Sequence, residues 1–323
     1  ARVATETGLV GPEVECRYRY PHPPSPYELP AGARDELDAY FVHDRCMRES
    51  GHDTTYRWDV NGNHCADFLP VDLNALLYKE EVDLGRTIER EFGGELKNDD
   101  GRVSRADVWR ERARQRRQRI RKYLWDGQLA LFFDYDRATR QRHDYVAATT
   151  LYPLWAWDPD EPRTSILEEN EIDRFVEVAV GMLKAPGGIL ASTEASRGPL
   201  TSKRKARQWD YPNGWAPHQM IAWKGLSSHG YDDLTQELVY RWLYTITRNA
   251  VDYNGTIPEK FDVVKQSHEV FAEYGNVGTK FDYITREGFG WMNASYQVGL
   301  AMLRPEYRER LDRLTPPETL FGR

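Results

Sequence analysis

The stretch EIDRFVEVAVGMLKAPGG, Glu171 to Gly188, decides the fold class. Ile172, Phe175, Val176, Ala179, Met182 and Leu183 recur at spacings of three and four, which sets them on one face of a helix. Pro186-Gly187-Gly188 then stops it, because proline cannot extend the hydrogen-bond ladder and glycine accepts the left-handed turn beyond it. The same period recurs on both sides. Residues 34–49 direct Leu37, Tyr40, Phe41 and Cys46 towards a core. Residues 71–92 carry Leu73, Leu76, Leu77, Val82, Leu84, Ile88 and Phe92 at helical spacing. Residues 104–124 open on Ser104 with Asp107 three positions on, a capping-box pattern with Asp in place of the usual Glu. Further helices are expected over 216–229, 232–249 and 291–303. Strand alternation is scarce, the clearest case being Leu129 to Tyr135, which reads as a hairpin turning into Arg137. The expected class is all-α.

Between the helices lie loops rich in Pro, Gly, Trp and charge, over 50–70, 155–165, 191–218 and 254–290. Loops of that length inside a compact domain usually carry function. Helices alternating with such loops suit a toroid of helices whose loops line one mouth; an ordinary bundle with surface loops is the plainer alternative.

Composition narrows the classes. At 323 residues the chain can bury a large core, and no apolar run reaches the ~20 residues of a membrane span. A net charge of -7 argues against a nucleic-acid partner. The one basic run, from Arg110 to Lys122, suits the solvated side of a helix with its apolar stems laid over neighbouring surface. Cys16, Cys46 and Cys65 are sparse and odd in number and lack zinc-ligand spacing, so neither a metal site nor a disulfide framework is expected, and a reduced, cytoplasmic compartment fits. Ten Trp and nineteen Tyr are many; most fill a core, but a clustered excess suits a carbohydrate cleft, where flat rings meet sugar C–H faces.

Four stretches concentrate chemistry. Arg48 to Arg57 follows a helix end with a dense polar run, in which Asp53-Thr54-Thr55 serves equally well as a site or as a helix cap. Gln208 to Gln219 sets Trp209 and Trp215 in a Pro-Gly turn with Asp210 and Asn213. A metal reading of Asp210 with His218 is weak, since no further ligand lies at suitable spacing. The third stretch, Asn254 to Asp262, contains Glu259. The fourth, Glu287 to Asn293, is a glycine-flanked aromatic run entering a helix, best read as close packing. The chain has no G-x-S-x-G elbow, P-loop or H-E-x-x-H. Carboxylates, aromatics and amides remain, which is the equipment of glycoside hydrolysis.

At these residues the chain resembles a known family. QWDYPNGWAP, Gln208 to Pro217, is similar to a long and specific signature of the trehalases. Arg48 to Arg57, Asp134-Tyr135, Arg197-Gly198-Pro199, Val251 to Gly255, Ala272 to Asn276 and Glu287 to Tyr296 resemble the neutral, cytosolic trehalases of fungi, a likeness running from about Gly8 to Leu303. The resemblance implies an (α/α)6 toroid that hydrolyses α,α-trehalose to two glucose molecules with inversion and without a metal in the chemical step. It assigns Asp53 as general acid and Glu259 as general base, although Phe261 stands where the family usually has Tyr. It makes Glu13, Arg48 and Gly51 substrate-binding positions, and Trp209 a ring that stacks on a glucosyl unit.

The family's other signature, an arginine-bearing Pro-Gly-Gly-Arg-Phe stretch, is absent from the 323 residues, as are the arginine and asparagine positions that follow it. Residues 1–323 are accordingly expected to form the C-terminal portion of one catalytic domain. No cofactor is expected within the chain; a regulatory calcium site, and a regulatory protein acting through the same region, are expected upstream. Rival readings are another toroidal α-glucosidase, a non-catalytic sugar-binding chain and, last, a nucleic-acid binder working through the basic helix.

Overall fold

A computed structural model describes residues 33–58, 64–202, 204–270 and 288–322. The helices are α1 (Ala33–Glu49), α2 (Val71–Phe92), α3 (Ala106–Tyr123), α4 (Tyr152–Trp155), α5 (Glu169–Leu183), α6 (Glu194–Arg197), α7 (Ala216–Ser228), α8 (Asp232–Asp252), α9 (Gly290–Met302), α10 (Pro305–Asp312) and α11 (Pro317–Phe321). Strands among the described residues are two or three residues long and paired antiparallel, as staples between helices rather than a layer. The chain is all-α, as its periodicity requires.

The helices pack in succession. The hairpin Glu95–Lys97 with Val103–Arg105 folds α3 back along α2, and α7 packs on α4, α8 and α9. One continuous apolar core runs through them, with Phe132, Phe175, Trp223, Tyr240 and Trp242 fully buried. Each such side chain contributes roughly 1.5–3 kcal/mol over leaving it in water. A smaller cluster of Met47, Trp58, Cys65 and Phe68 anchors the end of α1.

Several expectations shift in detail. Phe41 is 58% exposed, whereas Met47, in the last turn of α1, is buried instead. The side chain of Leu37 lies outside the described residues. On α5, Val180 replaces Met182 in the core, since beyond Ala179 that flank faces a groove bounded by Tyr145 and Thr193. The Ser104–Asp107 capping box does not form: Ser104 Oγ accepts from Trp109 Nε1 at 2.9 Å, and Asp107 takes its own neighbours' groups. A capping box caps α5 instead, between Glu168 and Glu171. The expected hairpin near 129–135 resolves into two ladders, Trp125–Asp126 with Leu131–Phe132 and Tyr135–Asp136 with Gln141–Arg142.

The basic run is largely neutralised by the protein itself. Arg110, Arg114, Arg116, Arg117 and Arg121 pair with Glu89, Glu111, Glu81, Glu168 and Glu171, and Arg112 lies over the Trp109 ring. Among the described residues no helix is long and apolar enough to cross a membrane, and no cluster of His, Cys, Asp and Glu is arranged to hold a metal ion.

Candidate active site

The end of α1 aims the first element of the site. Ser50 Oγ donates to the Met47 carbonyl at 2.6 Å, and Gly51 adopts φ +80°. A Cβ at Gly51 would meet nothing within 4 Å, so glycine is required there by the backbone angle rather than by space. The turn drives His52 into the interior and leaves Asp53 half-buried. Arg48, one turn back, is held by Asp44 through bonds of 2.8 and 3.3 Å.

The segment after Asp53 lies along the tryptophan-rich loop. Gln208 donates its side-chain amide to the Asp53 carbonyl, Trp209 N–H donates to Thr54 O at 3.2 Å, and Arg207 Nη1 donates to Thr55 O at 2.8 Å. Asp210, with no exposed surface, accepts from Thr55 Oγ1 at 2.5 Å, Tyr145 OH at 2.7 Å and Tyr56 N at 3.0 Å. The Asp53–Thr54 and Tyr211–Pro212 peptides are cis.

Behind this segment sits a buried charge cluster. Arg57 donates to Asp134 at 2.6 and 2.7 Å and to Asp72 at 2.8 and 3.2 Å, while Trp58 Nε1 and Val71 N also donate to Asp134. Burial pushes the Asp72 carboxyl up, but the Arg57 guanidinium and His52 override that and hold it well below the usual carboxylate range. His52 and His218 stack with centroids 5.5 Å apart, and burial lowers the pKa of both. His218 thus belongs to this aromatic wall, with Tyr152 OH 3.3 Å from its Nδ1, and not to a metal pair with Asp210.

The loop's other end carries the second carboxylate. Asn213–Gly214 pairs antiparallel with Phe261–Asp262, which fixes the chain just beyond Glu259 and Lys260. The approach is tight: a Cβ at Gly214 would lie 2.4 Å from Val263 Cγ1 and 2.9 Å from the Ile189 carbonyl. Phe261, where the resemblance implies Tyr, is fully buried in this ladder. Lys260 Nζ sits 2.9 Å from the Glu259 carboxylate and 4.9 Å from the Trp215 ring. Trp215 stacks on Trp209 at 3.8 Å, 7° from parallel.

Asp53 and Glu259, far apart in sequence, are therefore brought near enough for the charge of Glu259 to act on Asp53. The Asp53 carboxyl is pushed above the usual carboxylate range, first by burial and also by the charge of Glu259, against the opposing pull of a backbone hydrogen bond and of Arg48.

Each site residue picked out in the sequence has a definite standing. Arg48 and Glu259 lie near enough to Asp53 for their charges to act on it, and Gly51 makes the turn that precedes it. Glu13 lies outside the described residues. Trp209 does not present an open face: Trp215 covers one side, the His52 ring lies 4.8 Å away, and it is 6% exposed, so it serves as a wall rather than a stacking platform. Sequence reasoning missed the Arg57–Asp72–Asp134 cluster and the acceptor role of Asp210. An arginine and an aspartate within a polar run signal partners, but nothing in the sequence pairs Arg57 with residues 15 and 77 positions away.

Comparison with known proteins places these features. A family model described as Trehalase matches residues 28–304. The cytosolic neutral trehalase of Saccharomyces cerevisiae is 44% identical over 291 residues, which cover 89% of this chain and 37% of that protein. The solved neutral trehalase structure from Saccharomyces cerevisiae superposes with a TM-score of 0.76 at 37% identity, covering 99% of this chain and 51% of that one. A GH63 mannosylglycerate hydrolase from Thermus thermophilus shares the fold alone, with a TM-score of 0.52 at 15% identity over 72% of this chain and 48% of that one. The architecture is of the (α/α)6 type expected from the sequence. The chain spans a little over a third of the length of the curated relatives it matches. The signature residues, the fold and the identity agree, and the chain belongs to the trehalase family.

Proposed function

We propose that this chain carries the acid and the base of an inverting α,α-trehalase, and that it forms the C-terminal portion of a single catalytic domain. Asp53 protonates the glycosidic oxygen as the C–O bond breaks. Glu259 takes a proton from the water that attacks the anomeric carbon from the opposite face. Water supplies the new hydroxyl, so one glucose leaves as the α anomer and the other forms as β. Lys260 is ion-paired to Glu259 and lies over the Trp215 ring, which stacks on Trp209.

The observation that carries this reading is the placement of Asp53, half-buried and within reach of the Glu259 charge. A general acid must hold its proton near neutrality, and Asp53 is half-buried, pushed up by that burial and by the Glu259 charge. Arg48, engaged by Asp44, keeps its remaining face for sugar hydroxyls. Family membership supports the substrate.

The test is anomer-resolved NMR of trehalose and of maltose incubated with the full-length protein. Equal initial amounts of α- and β-glucose from trehalose, with maltose untouched, are expected. Faster hydrolysis of maltose, or α-glucose as the sole first product, would sink the proposal.

A further inference from the structure

The loop that bears the family signature grips the segment that carries the acid at four successive residues. The main-chain oxygens of Asp53, Thr54 and Thr55 are taken in turn by Gln208, Trp209 and Arg207, and Asp210 holds Thr55 and Tyr56. Within that set Gln208 is distinct. It is buried, and its own backbone carbonyl is fixed by Trp215 Nε1 at 2.8 Å and Asn213 Nδ2 at 3.0 Å. Its side-chain amide donates to residue 53 itself, while its Oε1 is buried with no hydrogen-bond partner among the described residues. Among the described residues the amide is thus engaged through its donor alone, and that donor goes to the carbonyl of Asp53.

We propose that Gln208 is the positioning residue of the general acid: it fixes the peptide of Asp53 and so the direction in which its carboxyl delivers the proton. The inference rests on the reading of Asp53 as the acid. Thr54, Thr55 and Tyr56 are anchored independently by Trp209, Arg207 and Asp210. Removing the Gln208 amide therefore loosens the acid's own peptide and leaves the rest of the segment in place.

That locality gives a test which a merely structural role would not pass. Trehalose needs a proton on its departing oxygen, whereas α-glucosyl fluoride releases fluoride without one; both need Glu259 to activate water. In the full-length protein, Gln208→Met keeps the volume and removes the donor, and Gln208→Ala removes both. Each is expected to lower kcat on trehalose about 100-fold at nearly unchanged KM, as misplacing a catalytic group by an ångström does. Hydrolysis of α-glucosyl fluoride should stay within about threefold of wild type, because general-acid assistance is the only contribution lost. An equal fall on both substrates, or a trehalose kcat within about threefold of wild type, overturns the inference. A wild-type protein that does not hydrolyse trehalose strikes the parent reading instead, and this one with it.

Discussion

Replacing Arg57 by Met gives the sharpest energetic prediction. The guanidinium is fully buried and joins Asp72 and Asp134, whose side chains are 8% and 5% exposed. Without it two buried carboxylates face each other with no cation between them. The system relieves this by protonating one, which at pH 7 costs about 4 kcal/mol for a group with an ordinary carboxylate pKa. Breaking a buried ion pair by removing one partner costs ~3–5 kcal/mol, which agrees. Trp58 Nε1 and Val71 N still donate to Asp134, so Asp72 is the group that takes the proton. Thermal unfolding at pH 7 should show a fall of roughly 10 °C in Tm, at ~2–3 °C per kcal/mol for a domain of this size. Adding Asp72→Asn to Arg57→Met should recover about 1–2 kcal/mol, because contacting sites are not additive. A single-variant loss below about 1 kcal/mol, or a double variant no better than the single, would refute the reasoning.

Three further outcomes follow from the same geometry. Asp72 has a depressed carboxyl pKa in the fold, so unfolding takes up a proton; its contribution is full above about pH 4 and is lost as pH falls below that. Melting curves from pH 5 to pH 3 should therefore steepen in wild type and flatten in Asp72→Asn; identical slopes would count against the pair. Gly51→Ala should lower stability by about 1–2 kcal/mol through the left-handed backbone alone, with Gly51→Asn milder in denaturant titration, and an Ala variant as stable as wild type would remove the backbone argument. Asp210→Asn sets an amide N–H against the buried donors Thr55 Oγ1, Tyr145 OH or Tyr56 N. It should cost about 2–3 kcal/mol by the same titration, and a neutral result would show that the segment is held by other means.

The helical class was legible because 3.6-residue periodicity depends only on the order of apolar residues, and α2, α5, α7 and α8 fall within a few positions of their expected bounds. Which face packs was less legible. Phe41 and Met182 sit at apolar positions of their helices but are exposed among the described residues, because covering partners come from distant segments. The site divides the same way. Polar density marks the stretches around Asp53 and Gln208, but chemistry alone leaves Asp53 balanced between site and cap, and the acid role is what the resemblance to trehalases implies. The role of Trp209 needed coordinates, because a tryptophan in a sugar-like loop reads as a platform until Trp215 is found lying on it. Asp210, equally prominent in the sequence, proves to be an anchor for hydroxyl and amide donors rather than a ligand.

The central claim is that Asp53 and Glu259 act as acid and base across one cleft. It is tested most directly by measuring glucose release from trehalose by Asp53→Asn and Glu259→Gln in the full-length protein, alongside their melting temperatures. The account predicts that kcat falls by about 10²–10⁴-fold in each variant while both stay folded, and that only Asp53→Asn keeps its hydrolysis of α-glucosyl fluoride. Turnover of trehalose near the wild-type rate in either folded variant would contradict it.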